Sequence, residues 1–213
     1  MSDPDAVVAA VRAAFTGSTY PGDDFLLGSR EGREPYEAIE PFKGRDWQEL
    51  EPGLLDSHGA ALSFFSEAGF RFYLPAFLLA DVRGQLASAD PLFHLTHGFS
   101  DEQVEHQVGA RVFVLRTGRR KLVNPLRYGA ATFNDVARYR LSVFAREEAA
   151  AIVAYLRYKR EVAALDPMKV RIDAAVDLFW LERAEQAPTA EDLRRHVAEQ
   201  NEYFKALHKA MGG

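Results

Sequence analysis

The chain of 213 residues contains no cysteine. That absence alone excludes disulfides, cysteine-ligated zinc, iron–sulfur clusters and thiol catalysis. No other motif announces a chemistry in their place. There is no G-x-S-x-G, Walker A, G-x-G-x-x-G or D-x-D-x-D-G pattern. Long hydrophobic runs are missing as well. The longest nearly apolar stretch, 72–80, is about half the length a membrane helix needs, and Pro75 interrupts it. Asp3 and Asp5 stand where a signal peptide would carry positive charge, and no lipidation signal is visible, so a cytoplasmic location is expected.

What is present is an ordinary globular composition: 47% hydrophobic, 12% aromatic and 27% charged residues. A chain of this length forms one large domain or two small ones and buries roughly 70% of its unfolded surface. The net charge of −5 conceals an uneven distribution. Residues 1–106 hold 7 basic against 18 acidic residues, a balance of −11, whereas residues 107–213 hold 19 against 13, a balance of +6. Within 111–140 there are eight basic residues and one acid, Asp135. Charge segregation of this kind either marks a binding surface or lets the two halves neutralise each other.

Helix signals are clearest at the two ends. Asp3-Pro4 opens a helix carrying Val7, Val8, Val11, Ala14 and Phe15 at helical spacing, ended near Gly17. The following segment, 20–43, is rich in turn residues and predicts only short helices, around 36–42 and 47–50, pinned by Trp47, Leu50, Leu54 and Leu55. Ser66 then caps an almost wholly apolar helix through Phe70, Tyr73, Leu74, Phe77 and Leu78 that should be central to the core. Pro75 within it predicts a kink. Ser100-Asp101-Glu102-Gln103 has capping-box form and predicts a helix from about residue 101. Residues 112–115 and 121–123 could instead form a small hairpin, and 138–144 alternates like a strand. Near the C-terminus, helices are expected over 146–164, from Asp166-Pro167 with Met168, Ile172, Ala175, Val176 and Phe179 buried, and from Pro188-Thr189 onward.

The fold class is therefore mainly α: a single helical domain over 1–213 with a kinked central helix, a C-terminal three-helix segment and one small β-hairpin as an open option. It divides into an acidic, partly irregular segment (1–60), a central apolar region (61–110), a basic segment (111–145) and the three-helix segment (146–213).

Three stretches carry a resemblance: FKGRDWQEL (42–50), ALSFFSEAGFRFYLPAFLLADV (61–82) and REEAAAIVAYLRYKR (146–160). They resemble an uncharacterised family of bacterial proteins of unknown function, in which a W-x-x-L element precedes an ALxFxSxxxFRxYLPAF-like helix. The resemblance implies a bacterial source and a shared core, and brings no catalytic residue with it.

Candidate sites come from residue chemistry alone. His94, His97 and His106 beside Glu105 are the one cluster of metal-ligand types, weighed against loop histidines bonded to backbone or water. No cofactor is implied. Arg116, Arg119, Arg120, Lys121, Arg127, Arg138 and Arg140 could bind an anion, or phosphates with Tyr128, Phe133 and Tyr139 stacking on bases. The competing reading pairs them with the acidic half, and overall acidity argues against nucleic acid. Arg71 could line a pocket near Pro75, or pair with Glu67 or Asp81. Glu31, Glu34, Glu37 and Glu40 recur every three residues along one exposed face. The leading function is a protein-interaction module of adaptor or immunity type facing its partner with the acidic half, rather than an enzyme. The alternatives are an anion-binding protein or enzyme using 111–140, and a nucleic-acid binder.

Overall fold

The computed structural model describes residues 3–99, 103–108, 111–116, 121–124, 129–131, 133–186, and 195, 198–199, 201–203, 205–206 and 209–210. The fold is mainly α.

Helix α1 (Pro4–Phe15) begins as its sequence requires, with the Asp3 carboxylate accepting the Asp5 amide at 3.0 Å. Its buried stripe is Val7, Val11 and Phe15. Three short helices follow: α2 (Glu34–Ile39), α3 (Pro52–Ser57) and α4 (Ala61–Phe64), with 3-10 turns at Asp23–Phe25, Glu40–Phe42 and Trp47–Glu49. The segment expected to be irregular is thus pinned by Leu26, Ile39, Phe42, Trp47 and Leu55, all buried.

Helix α5 (Glu67–Val82) is the axis of the core, with thirteen buried residues among its sixteen. Ser66 caps it by accepting the Gly69 amide at 3.0 Å. The helix continues unbroken through Pro75. The backbone of 25–28 lies tightly across its N-terminus. Ser66 N–H donates to the Leu26 carbonyl at 2.7 Å, and Gly28 N–H to the Phe64 carbonyl at 2.6 Å. A Cβ at Gly28 would stand 2.5 Å from the Phe65 carbonyl oxygen, so only glycine permits this approach. The connection after α5 is fixed by Asp56, which accepts the amides of Ala87, Ser88 and Ala89 at 2.7–3.0 Å. These three donors hold its carboxyl below the usual aspartate value.

Four sequence expectations are corrected beyond this point. His94 is not in a loop: Asp90-Pro91 starts a six-residue helix, α6 (Pro91–Thr96), in which Asp90 accepts the Phe93 amide. The expected helix after Ser100 is instead strand β1 (Gln103–Val108), paired antiparallel with β2 (Arg111–Arg116). Strand β3 (Lys121–Asn124) pairs with β4 (Gly129–Ala131), so two ladders form and 112–115 does not pair with 121–123. Finally, 138–144 is no strand, because α7 (Phe133–Leu141) covers most of it. Val, Ile, Phe and Tyr at alternating positions suit either state, and here β1 and α7 were decided by pairing and packing rather than by pattern.

Helix α8 (Arg146–Val162) closes the core with α9 (Asp166–Ala175), a π turn (Val176–Trp180) and α10 (Leu181–Glu185). The start expected at Pro188-Thr189 lies outside the described residues, while parts of 195–210 are helical. The core differs from expectation in one respect. Helix α1 packs on both α5 and α8, and so joins the central helix to the C-terminal ones.

Candidate functional site

Acidic residues concentrate where the chain makes a closed excursion from the core. The excursion runs from Tyr20 to Gly44, and its two ends meet. Gly44 N–H donates to the Tyr20 hydroxyl at 2.8 Å and to Asp23 Oδ1 at 3.1 Å, while the Tyr20 hydroxyl donates to the same Asp23 oxygen. Partial burial and the hydrogen bond to the Asp23 carboxylate push the Tyr20 phenol above its ordinary value, so it stays a donor at neutral pH. Beneath it the Tyr73 hydroxyl donates to the Phe42 and Arg45 carbonyls, which anchors the returning strand of the excursion to α5. Burial pushes the Tyr73 phenol far up.

The excursion holds its apolar residues inward: Leu26, Leu27, Pro35, Ile39 and Phe42 are buried. Its six carboxylates, Asp23, Asp24, Glu31, Glu34, Glu37 and Glu40, are all exposed, against three basic residues, Arg30, Arg33 and Lys43. Arg33 pairs with Glu37 and Lys43 with Glu40. Among the described residues Glu31 and Glu34 make no side-chain hydrogen bond or ion pair. Two large aromatics stand out beside these charges, Phe25 at 38% and Tyr36 at 40% exposure. Isolated exposed apolar residues are unremarkable, but aromatics are the residue type enriched at interface centres, and here two stand among exposed carboxylates.

The residues singled out from sequence fare differently. His94 is buried against the rings of Phe70 and Phe93, with centroids 6.2 and 5.3 Å away. Burial, and then the nearby Arg140 cation, hold its imidazole down at about 3. His97 stacks on Phe93 at 4.7 Å. The side chain of His106 lies outside the described residues, among which no group of three or more metal-ligand side chains occurs.

Of the basic cluster, Arg116 and Lys121 lie on β2 and β3, with side chains outside the described residues, as are Arg119, Arg120 and Arg127 entirely. Arg138 donates to Asn134 Oδ1 at 2.8 Å and to the Leu178 carbonyl at 2.5 Å. Arg140 donates to the Leu62 carbonyl at 2.5 Å and lies 4.7 Å over the Phe70 ring. Both tie α7 to the core. Arg71 does pair with a carboxylate, although with neither Glu67 nor Asp81: its Nε donates to both oxygens of Glu148 at 3.0 and 2.9 Å. Asp81 instead accepts from Tyr155 at 2.5 Å and from Lys159 at 2.9 Å. Among the described residues two ion pairs therefore join the two halves, and neither involves the exposed carboxylates of 20–44.

Among the described residues no helix is long and apolar enough to cross a membrane. No curated protein and no solved structure matches the chain. Two of the three stretches that carry the resemblance, 42–50 and 61–82, fall within a stretch that a family model recognises. Residues 4–108, from the first helix to the end of β1, match the family described as a family of unknown function (DUF6714).

Proposed function

We propose that this is a cytoplasmic bacterial protein-interaction module that docks a basic partner on the 20–44 excursion. The observation that carries this reading is an ordered surface of six exposed carboxylates, only part of them neutralised within the chain, bracketing exposed Phe25 and Tyr36. Like charges held together in this way steer an oppositely charged partner, and the aromatics supply the area from which binding energy comes. The excursion is fixed at both ends by the Tyr20–Asp23–Gly44 junction, so little ordering entropy is lost on docking. The alternative, an anion site on the basic segment, has Arg138 and Arg140 already engaged with main-chain carbonyls, which favours the interaction reading.

The test is affinity capture from the native cell with the parent chain and with a Glu31→Gln/Glu34→Gln/Glu37→Gln variant, quantified by mass spectrometry at two salt concentrations. The expected result is a stoichiometric basic partner, retained by the parent, weakened by salt and reduced at least tenfold by the variant. A partner retained equally by both proteins, or none with the parent, would sink the reading.

A further inference from the structure

A pocket of about 270 Å³ lies beside the excursion, where four parts of the chain meet. The exit of α1 supplies Ser18, Tyr20 and Pro21, α5 supplies Ala68, Arg71 and Phe72, and Val143 and Asn201 come from the C-terminal half. The α5 residues fall at i, i+3 and i+4, so they share one helical face. The walls are mostly apolar. The Tyr20 and Phe72 rings meet edge to face at 5.4 Å, and Phe25 completes that side. The volume lies just under the range of about 300–1,000 Å³ typical of small-molecule sites, which combine such walls with a few fixed polar groups.

Two polar groups here are unusual. Arg71 is held along one edge only, by the Nε bonds to Glu148, a carboxylate that is itself 4% exposed and also accepts the Ala145 amide at 2.8 Å. Neither terminal nitrogen of Arg71 makes a hydrogen bond among the described residues, so the forked end of the guanidinium remains available in a fixed orientation. The Ser18 hydroxyl is shielded from solvent and has no hydrogen-bond partner among the described residues. A shielded hydroxyl without a partner is costly in a folded protein unless something supplies the bond. A carboxylate is the group that suits both, since it accepts two parallel N–H bonds from the fork and a third from a hydroxyl.

We infer that this pocket binds a small aromatic carboxylate, with its acid group on Arg71 and Ser18 and its ring among Tyr20, Phe25 and Phe72. Glu148 acts as a positioning residue that aims the guanidinium. The same chemistry is offered by a free aryl acid and by a peptide that ends in phenylalanine, and the small volume of about 270 Å³ favours the former. The pocket shares Tyr20 and Phe25 with the excursion, but its acid-binding end, Arg71 and Ser18, uses none of the exposed carboxylates, so the two readings are tested separately.

Isothermal titration calorimetry of the full chain with 4-hydroxyphenylacetate, its uncharged amide, and a hexapeptide ending in phenylalanine provides the test. The expected result is saturable binding of the acid and at least tenfold weaker binding of the amide. Arg71→Lys, which keeps the charge and loses the fork, should weaken the acid at least tenfold, and Ser18→Ala a few-fold. Ala68→Phe fills the pocket and leaves the Arg71–Glu148 pair intact, so it should abolish binding in a protein whose circular dichroism and melting are those of the parent. Tighter binding of the peptide would keep the carboxylate site and assign it to chain termini. Equal binding of acid and amide, no binding of either carboxylate, or undiminished binding to Ala68→Phe would overturn the inference.

Discussion

At the scale of single residues, burial decides what ionisable groups can do. His94 has the residue type of a metal ligand and the surroundings of a core side chain, with two aromatic rings and the Arg140 cation about it. Its folded value of about 3 lies below the unfolded value near 6.5. The unfolded chain therefore takes up a proton that the folded chain refuses. This contribution to stability is complete above about pH 6.5 and is lost as pH falls toward 3. Denaturant titrations should show the parent losing about 2 kcal/mol more than His94→Leu between pH 7 and pH 5. Equal losses would mean that the imidazole is solvated. Gly28 is constrained by backbone contact rather than by charge, since its missing Cβ leaves room for the Phe65 carbonyl. Gly28→Ala should cost about 1–3 kcal/mol, several degrees of melting temperature, with the far-ultraviolet spectrum unchanged.

At the scale of elements, helices with a cap and a periodic apolar stripe were readable from the residues. Asp3-Pro4, Ser66 and Asp166-Pro167 each start a helix close to where their chemistry places it. Legibility failed where length or pairing decided. Helix α6 has six residues, too few to show a period, and β1 owes its state to the β2 ladder rather than to Ser100 or the residues after it. The inward face of the penultimate helix was also half read. Phe179 and Trp180 stand at i+7 and i+8 from Ile172, on the same stripe as Ala175 and Val176, and both are buried, although only Phe179 was counted among the expected inward residues. The buried face continues through the π turn over Val176–Trp180. Trp180 then donates its indole N–H to the Leu95 carbonyl at 2.9 Å, the contact that secures α6. Trp180→Phe keeps the ring and strands that buried carbonyl, which predicts a loss of about 1–3 kcal/mol and faster amide exchange in α6. Across α5 and α8, Asp81 gathers Tyr155 and Lys159. Lys159→Met should cost about 2 kcal/mol, below the value for a fully buried pair because both partners retain some solvent.

At the scale of the whole molecule, the charge asymmetry has a partial internal answer. The Asp81–Lys159 pair sets an acid of the first half against a base of the second, whereas Arg71–Glu148 joins the same halves with the charges reversed. The 20–44 excursion takes no part in that exchange, and its carboxylates face outward with Phe25 and Tyr36. This division was only half visible beforehand. The rhythm of Glu31, Glu34, Glu37 and Glu40 gave an acidic face, but its closure depends on Tyr20 meeting Gly44, a contact between residues that carry no motif. The Arg71 pocket was less visible still, since it is assembled from residues 18 to 201. The account rests most heavily on the excursion as a docking surface. Its most direct test places a photo-crosslinking amino acid at Tyr36 in the native cell, with Val170, 66% exposed on α9, as the control position. The account predicts one dominant adduct from position 36, absent from position 170 and lost when Glu31, Glu34 and Glu37 are changed to glutamine. Identical adducts from both positions, or none from position 36, would contradict it.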